Sequence, residues 1–146
     1  MKIALLALLL AVSAVGHAVA QGAPSSPGAR VYFVNLSDGD TVTAPFKVVF
    51  GLSGMGVAPA EIEKKGTGHH HLLIDRPPLG KGEDGEDELE LSLPTDGNHL
   101  HFGNGQTETT LNLDAGTHTL QLVLGDHAHV PHSPPVVSKV ITITVK

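Results

Sequence analysis

The stretch Thr117-His-Thr-Leu-Gln-Leu-Val-Leu-Gly-Asp126 (THTLQLVLGD) alternates strictly. His118, Leu120, Leu122 and Leu124 fall on one face of an extended chain, and Thr117, Thr119, Gln121 and Val123 on the other. Period two is the signature of a β-strand with one face toward a core, because successive side chains point to opposite sides. The neighbours repeat the pattern: VYFVN (31–35), FKVVFGL (46–52), HHHLLID (69–75), TETTLNL (107–113) and VVSKVITITV (136–145) are short β-type runs separated by turn residues such as Asp38-Gly39 and Asn104-Gly105. No stretch has helical periodicity of useful length; VAPAEIEKKG (57–66) holds one turn at most. Six or seven such strands in about 115 residues predict an all-β fold, a single antiparallel β-sandwich of about seven strands over residues 31–146.

DAGTHTL (114–120) adds a topological expectation. Its Asp-x-Gly-x-aromatic-x-apolar spacing resembles the E–F corner of immunoglobulin-like domains, with His118 where a corner tyrosine stands. The resemblance implies that 46–52 is strand B, 69–75 strand C, 107–113 strand E, 117–124 strand F and 136–145 strand G, with His99 and His101 ending strand D. The B–C, D–E and F–G loops then share one end of the domain, and three histidine clusters distant in sequence meet there. His118 alone lies at the other end, bonded to backbone.

Among the 146 residues are ten histidines, no cysteine, no tryptophan, one tyrosine and four phenylalanines. Without thiols there are no disulfides, no thiolate metal sites and no cysteine nucleophile. Scarce aromatics argue against a sugar-binding platform. The first twenty residues read as a secretory signal: Lys2, the apolar run IALLALLLAV (3–12), and Ala18-Val-Ala20 before the cleavage point. QGAPSSPGAR (21–30) reads as a linker. The product is expected to be periplasmic or secreted, with no membrane span in the mature chain. Its net charge of −6, or −7 once Lys2 is removed, argues against nucleic acid as a partner.

The chemistry must come from histidine. Residues two apart on a strand project side by side, so His69 with His71 and His99 with His101 are chelating pairs, and His127, His129 and His132 in the Pro-rich HAHVPH loop supply further ligands. Imidazole donors without thiolates favour Zn²⁺, Cu²⁺ or Ni²⁺, of which Cu²⁺ or Zn²⁺ is the expectation. Met55 is the only methionine past the leader, which disfavours a thioether Cu⁺ site. Asp75 and Asp126 are candidates to orient the ligand rings. His70 shares the face of Leu72 and Ile74, so it is expected to be a hydrogen-bonded interior residue. The acidic run KGEDGEDELE (81–90) has no EF-hand spacing and reads as a solvated loop. No serine sits in a nucleophile elbow, and HHHLL lacks the helical spacing of a zinc protease, so binding is favoured over turnover.

HHHLLID (69–75) followed by HLHFGNGQTETTLNLDAGTHTLQLVLGDHAHVPHSPPVVSKVITI (99–143) resembles an uncharacterised family of exported bacterial proteins known as a domain of unknown function. Matching positions are His69, His70, His71, His101, Gly103, Gly105, Gln106, Thr107, His118, Asp126, His129 and His132. The resemblance implies an exported, immunoglobulin-like all-β domain. LSDGDTVTAPFKVVFGLSG (36–54) is more loosely similar to periplasmic copper-resistance β-sandwich proteins, from which the chain departs at Gln21-Gly22, where no histidine neighbours the mature amino terminus. The expected function is binding of Cu or Zn for storage, buffering or delivery, with a periplasmic protein as a further partner. The alternative is a structural or adhesion module whose histidines rigidify the loop end or sense pH.

Overall fold

The computed structural model describes residues 21–83 and 85–146. The expected signal segment, residues 1–20, and Asp84 of the acidic run lie outside the described residues. Among the described residues nine strands form: β1 (Arg30–Phe33), β2 (Thr41–Val42), β3 (Phe46–Ser53), β4 (Gly56–Val57), β5 (Thr67–Ile74), β6 (His99–His101), β7 (Glu108–Leu111), β8 (Gly116–Gly125) and β9 (Ile141–Val145). The only helical turn among the described residues is a short 3₁₀ segment, Asp87–Leu89, in the acidic run. None of the described helices is long and apolar enough to cross a membrane.

The strands make two facing sheets, ordered β1-β3-β7 and β2-β9-β8-β5-β4, with β6 also pairing β5. Alternation in the sequence becomes the interface between them. Phe46, Val48 and Phe50 of β3 meet Leu72 and Ile74 of β5, Leu120, Leu122 and Leu124 of β8, and Ile141, Ile143 and Val145 of β9. On β9 the intervening Thr142 and Thr144 are exposed. Each fully buried leucine or isoleucine at this interface is worth about 1.5–3 kcal/mol.

The β-sandwich expectation holds, with strands B, C, E and F where the corner motif puts them. Two short pairs are parallel, β2 with β9 and β4 with β5, so the sheets are not purely antiparallel. Strand G is shorter than expected. Its leading residues touch β8 through a bridge between Val123 and Val137, while β9 pairs Ile141 with Leu120. Between these pairs two residues on β8 thus oppose three on the other strand, which is a bulge. His99 and His101 do not lie on a strand D beside β7. They form β6, antiparallel to β5, with His71 opposite His101 and Leu73 opposite His99. Leu100 packs against the main core beside Leu72, and this keeps β6 on the β5 sheet.

The corner is built as expected. One ring nitrogen of His118 lies 2.9 Å from the Asp114 carbonyl oxygen, four residues back, and the other lies 2.7 Å from Oδ2 of Asp75. Both contacts call for a donor on the ring, and the Asp75 carboxylate raises the His118 pKa above its usual value.

β5 is buried on both faces. The segment between β5 and β6 folds over the outer face, where Leu79 and Leu93 pack on Leu73 and Val123 in a second, smaller core. It is tied down by the Leu79 amide, which donates to Gln121 Oε1 at 2.9 Å, and by an ion pair of Arg76 with Glu88. Residues 22–25, expected within a linker, lie against the loop after β8: the Ala23 amide donates to Asp126 Oδ2 at 2.9 Å and the Ser25 amide to the Ser133 carbonyl at 3.1 Å.

Candidate metal centre

On the outer face of β5 the row His69, His71, Leu73 changes from imidazole to hydrocarbon where the covering segment begins. His69 and His71 project together because they are two apart, and His101 joins them because it stands directly opposite His71 across the β5–β6 ladder. Ring nitrogens of His69, His71 and His101 all lie within 4.8 Å of one another. The two Nε2 atoms of His69 and His71 are 3.0 Å apart. Two imidazoles on one tetrahedral Zn²⁺, each at 2.0–2.1 Å, stand about 3.3 Å apart. The three rings are therefore within small rotations of a shared ion.

His129 caps the group from the loop that follows β8. Its ring centroid is 4.7 Å from that of His101, 5.1 Å from His69 and 6.2 Å from His71. The backbone there is left-handed, φ 68°, a region that non-glycine residues enter rarely. Asp126 holds it: its Oδ1 accepts from the amides of Ala128 at 2.9 Å and Val130 at 3.0 Å, either side of His129. His99 flanks the group, its ring 5.4 Å from His71, with Arg76 Nη1 3.4 Å from its Nδ1.

Two glycines make room for the rings. A Cβ on Gly125 would stand 2.8 Å from His71 Nε2, and one on Gly103 would stand 2.3 Å from His101 Cε1. An isolated glycine at a strand end often marks such a close approach. That signal was available in the sequence at Gly125, whereas the need for Gly103 depends on how β6 pairs. Arg76 carried no signal of its place beside His99.

Burial disfavours the charged form of His69, His71, His99 and His101. Burial, followed by the neighbouring His101 and His129 and opposed by Asp126, lowers the His69 pKa to about 4. Burial and the surrounding imidazoles His69, His99, His101 and His129 lower His71 to about 2. His101 is lowered by burial and His129, and His99 to about 4 by burial and Arg76. Neutral imidazoles have the free lone pairs that a metal requires. Among the described residues, the buried Nδ1 atoms of His69 and His71 and the Nε2 atoms of His99 and His101 also have no hydrogen-bond partner. Leaving such a group unpaired costs about 1–3 kcal/mol.

Of the seven expected ligands, then, His69, His71 and His101 converge, His129 covers them and His99 borders them. His127 and His132 do not join. His132 is buried behind Gly68 with its Nδ1 2.9 Å from the Ala23 carbonyl oxygen. His127 lines a separate cleft with Pro24 and Lys65. The loop turns between these residues, so their spacing of two and three does not place them on one side. Asp75 and Asp126 do not orient cluster rings: Asp75 holds His118, and Asp126 holds loop amides and Ala23. His70 is interior as expected, with its ring 5.2 Å from Phe50 and its Nδ1 3.3 Å from the Gln106 carbonyl oxygen.

Fold and site together define an all-β domain with a histidine cluster close enough to hold a metal ion. Residues 48–146 match the family described as Domain of unknown function (DUF4399), and the chain belongs to that family. The match runs from β3 to the end of the chain and so includes every cluster histidine. No curated protein matches the chain.

Proposed function

We propose that the protein is an exported metal-binding domain that holds Cu²⁺ or Zn²⁺ through His69, His71 and His101, with His129 as the fourth donor, and that it stores, buffers or delivers the ion in the periplasm or outside the cell. The observation that carries this reading is the convergence of three neutral ring nitrogens within 4.8 Å, inside a sheet-and-loop enclosure. Donors of one chemical type with no thiolate suit a borderline divalent ion. A rival reading draws on the 3.0 Å approach of His69 to His71, which one ring proton satisfies without any ion. It leaves His101 Nε2 without a partner among the described residues, a nitrogen that an ion shared by the three rings would engage.

Calorimetric titration of the purified, tag-free protein with Cu²⁺ and with Zn²⁺ tests the proposal, repeated on the double variant His71→Ala, His129→Ala. One tight stoichiometric site, lost in a variant that keeps its β-sheet circular dichroism, is the expected result. Weak, multiple binding that the double substitution leaves unchanged would sink the metal reading and favour the structural one.

A further inference from the structure

Above the cluster is a cavity of about 370 Å³ lined by Ala60, Glu61, His101, Gly103, Asn104, Gln106 and His129. It is where two of the four cluster rings reach solvent: His101 and His129 are partly exposed, whereas His69 and His71 are fully buried. Glu61 is the one acidic residue in its lining. Three non-glycine residues among those described have positive φ, and two of them, Glu61 at 66° and His129 at 68°, face this cavity. Such backbone persists where the surroundings impose it and is concentrated at functional sites.

The surroundings do impose it. The Glu61 amide donates to the His127 carbonyl oxygen at 2.9 Å, and the Ala60 amide donates to the Gly103 carbonyl oxygen at 2.8 Å. The short 59–61 segment is thereby tied to both pieces of chain that present exposed cluster rings, the loop of His129 and the turn after His101. An exposed carboxylate is thereby held on left-handed backbone at the rim of the cavity. Glu61 is exposed, and its carboxylate makes no hydrogen bond or ion pair with the described residues, which leaves it open to a cation.

We infer that this cavity is the port through which the ion enters and leaves, and that Glu61 is its transient ligand, receiving the hydrated divalent cation and passing it to His101 and His129. The inference rests on the metal-binding reading and goes beyond it by assigning exchange to a particular residue. A carboxylate at the rim raises the local concentration of cation. It also exchanges for water faster than a buried imidazole can be approached directly. A transient ligand lowers the barrier in both directions, so it changes rates and leaves the equilibrium nearly untouched.

The test uses Zn²⁺ and stopped-flow mixing, with a chromophoric chelator reporting uptake by and release from the full protein. Glu61→Asn removes the charge yet tolerates left-handed backbone, and Glu61→Asp retains both properties. The expected result is that Glu61→Asn slows uptake and release alike by about fivefold or more, with the dissociation constant changed less than twofold, and that Glu61→Asp restores most of the rate. Unchanged rates in Glu61→Asn would overturn the inference while leaving the metal site intact. A large loss of affinity would overturn it too, by making Glu61 a permanent ligand. Failure of the unmodified protein to bind Zn²⁺ or Cu²⁺ removes the metal reading itself and this inference with it.

Discussion

Replacing Gly125 with alanine adds one methyl group at the place where the His71 ring crosses β8. The new Cβ would stand 2.8 Å from Nε2 and 3.0 Å from Cδ2 of that ring, where ordinary contact begins at 3.4 Å. The ring must therefore retreat by about 0.6 Å, against a tolerance of about 0.2 Å in a metal–ligand bond. His71 is fully buried and cannot swing into solvent. The backbone at Gly125 does not have positive φ, so alanine fits it without backbone strain. The cost to the unliganded protein is that of overpacking, about 1–3 kcal/mol. The cost to the site is a misplaced ligand. Moving even an indirect partner of a metal ligand costs about 10–100-fold in affinity, so a loss of about 100-fold, or 2.7 kcal/mol, is expected for Zn²⁺. Calorimetry reads the affinity, and thermal unfolding followed by circular dichroism reads the stability. Gly97→Ala, which meets nothing within 4 Å, is the control and should match the parent in both. A folded Gly125→Ala protein that binds Zn²⁺ as tightly as the parent would refute the placement of His71 in the site.

Two further outcomes follow from the buried imidazoles. His69, His70 and His99 have pKa values lowered to about 4 in the fold and His71 to about 2, against an ordinary value of 6.5. Between about pH 6.5 and 4 the unfolded chain binds more protons than the folded one, so the stability present above pH 6.5 falls as pH drops through that window. Each group contributes on the order of 2–3 kcal/mol to that fall, and the set rivals the total stability of an ordinary domain, about 5–15 kcal/mol. Denaturant titrations of the metal-free protein at pH 7 and pH 5 should show a loss of several kcal/mol; equal stabilities would mean that these rings are solvated. His70→Leu replaces an interior ring whose Nε2 has no partner. Its stability should lie within about 1–2 kcal/mol of the parent, because the lost bond to Gln106 is offset by relief of the unpaired nitrogen. Its Zn²⁺ affinity should be unchanged, since His70 faces the core, and a lost metal site in that variant would place it among the ligands.

Period-two alternation in THTLQLVLGD, FKVVFGL and VITITV was enough to predict strands and their buried faces, because the pattern of apolar side chains needs only local geometry to be read. The same reasoning paired His69 with His71 and separated His70 from both. It also put His118 at the far corner, where a four-residue contact is local. Alternation says which face a residue occupies, but says nothing about which strand lies beside it. The neighbour of β6 could not be read for that reason. A strand-D position would have sent His99 and His101 to the other sheet, whereas β6 pairs with β5 and its partly buried Leu100 packs against the core opposite Leu72.

The HAHVPH loop was the least legible part. Spacing has no fixed direction once the chain leaves a strand, and the left-handed turn at His129, held by Asp126, brings that ring over the cluster while His127 and His132 face elsewhere. Composition and spacing thus determined a β-sandwich rich in imidazole, with donors in pairs and no thiolates to compete. Only the tertiary structure decided which pairs meet, because that depends on strand register, on the space left by Gly103 and Gly125, and on loop backbone held by hydrogen bonds between residues far apart in the chain.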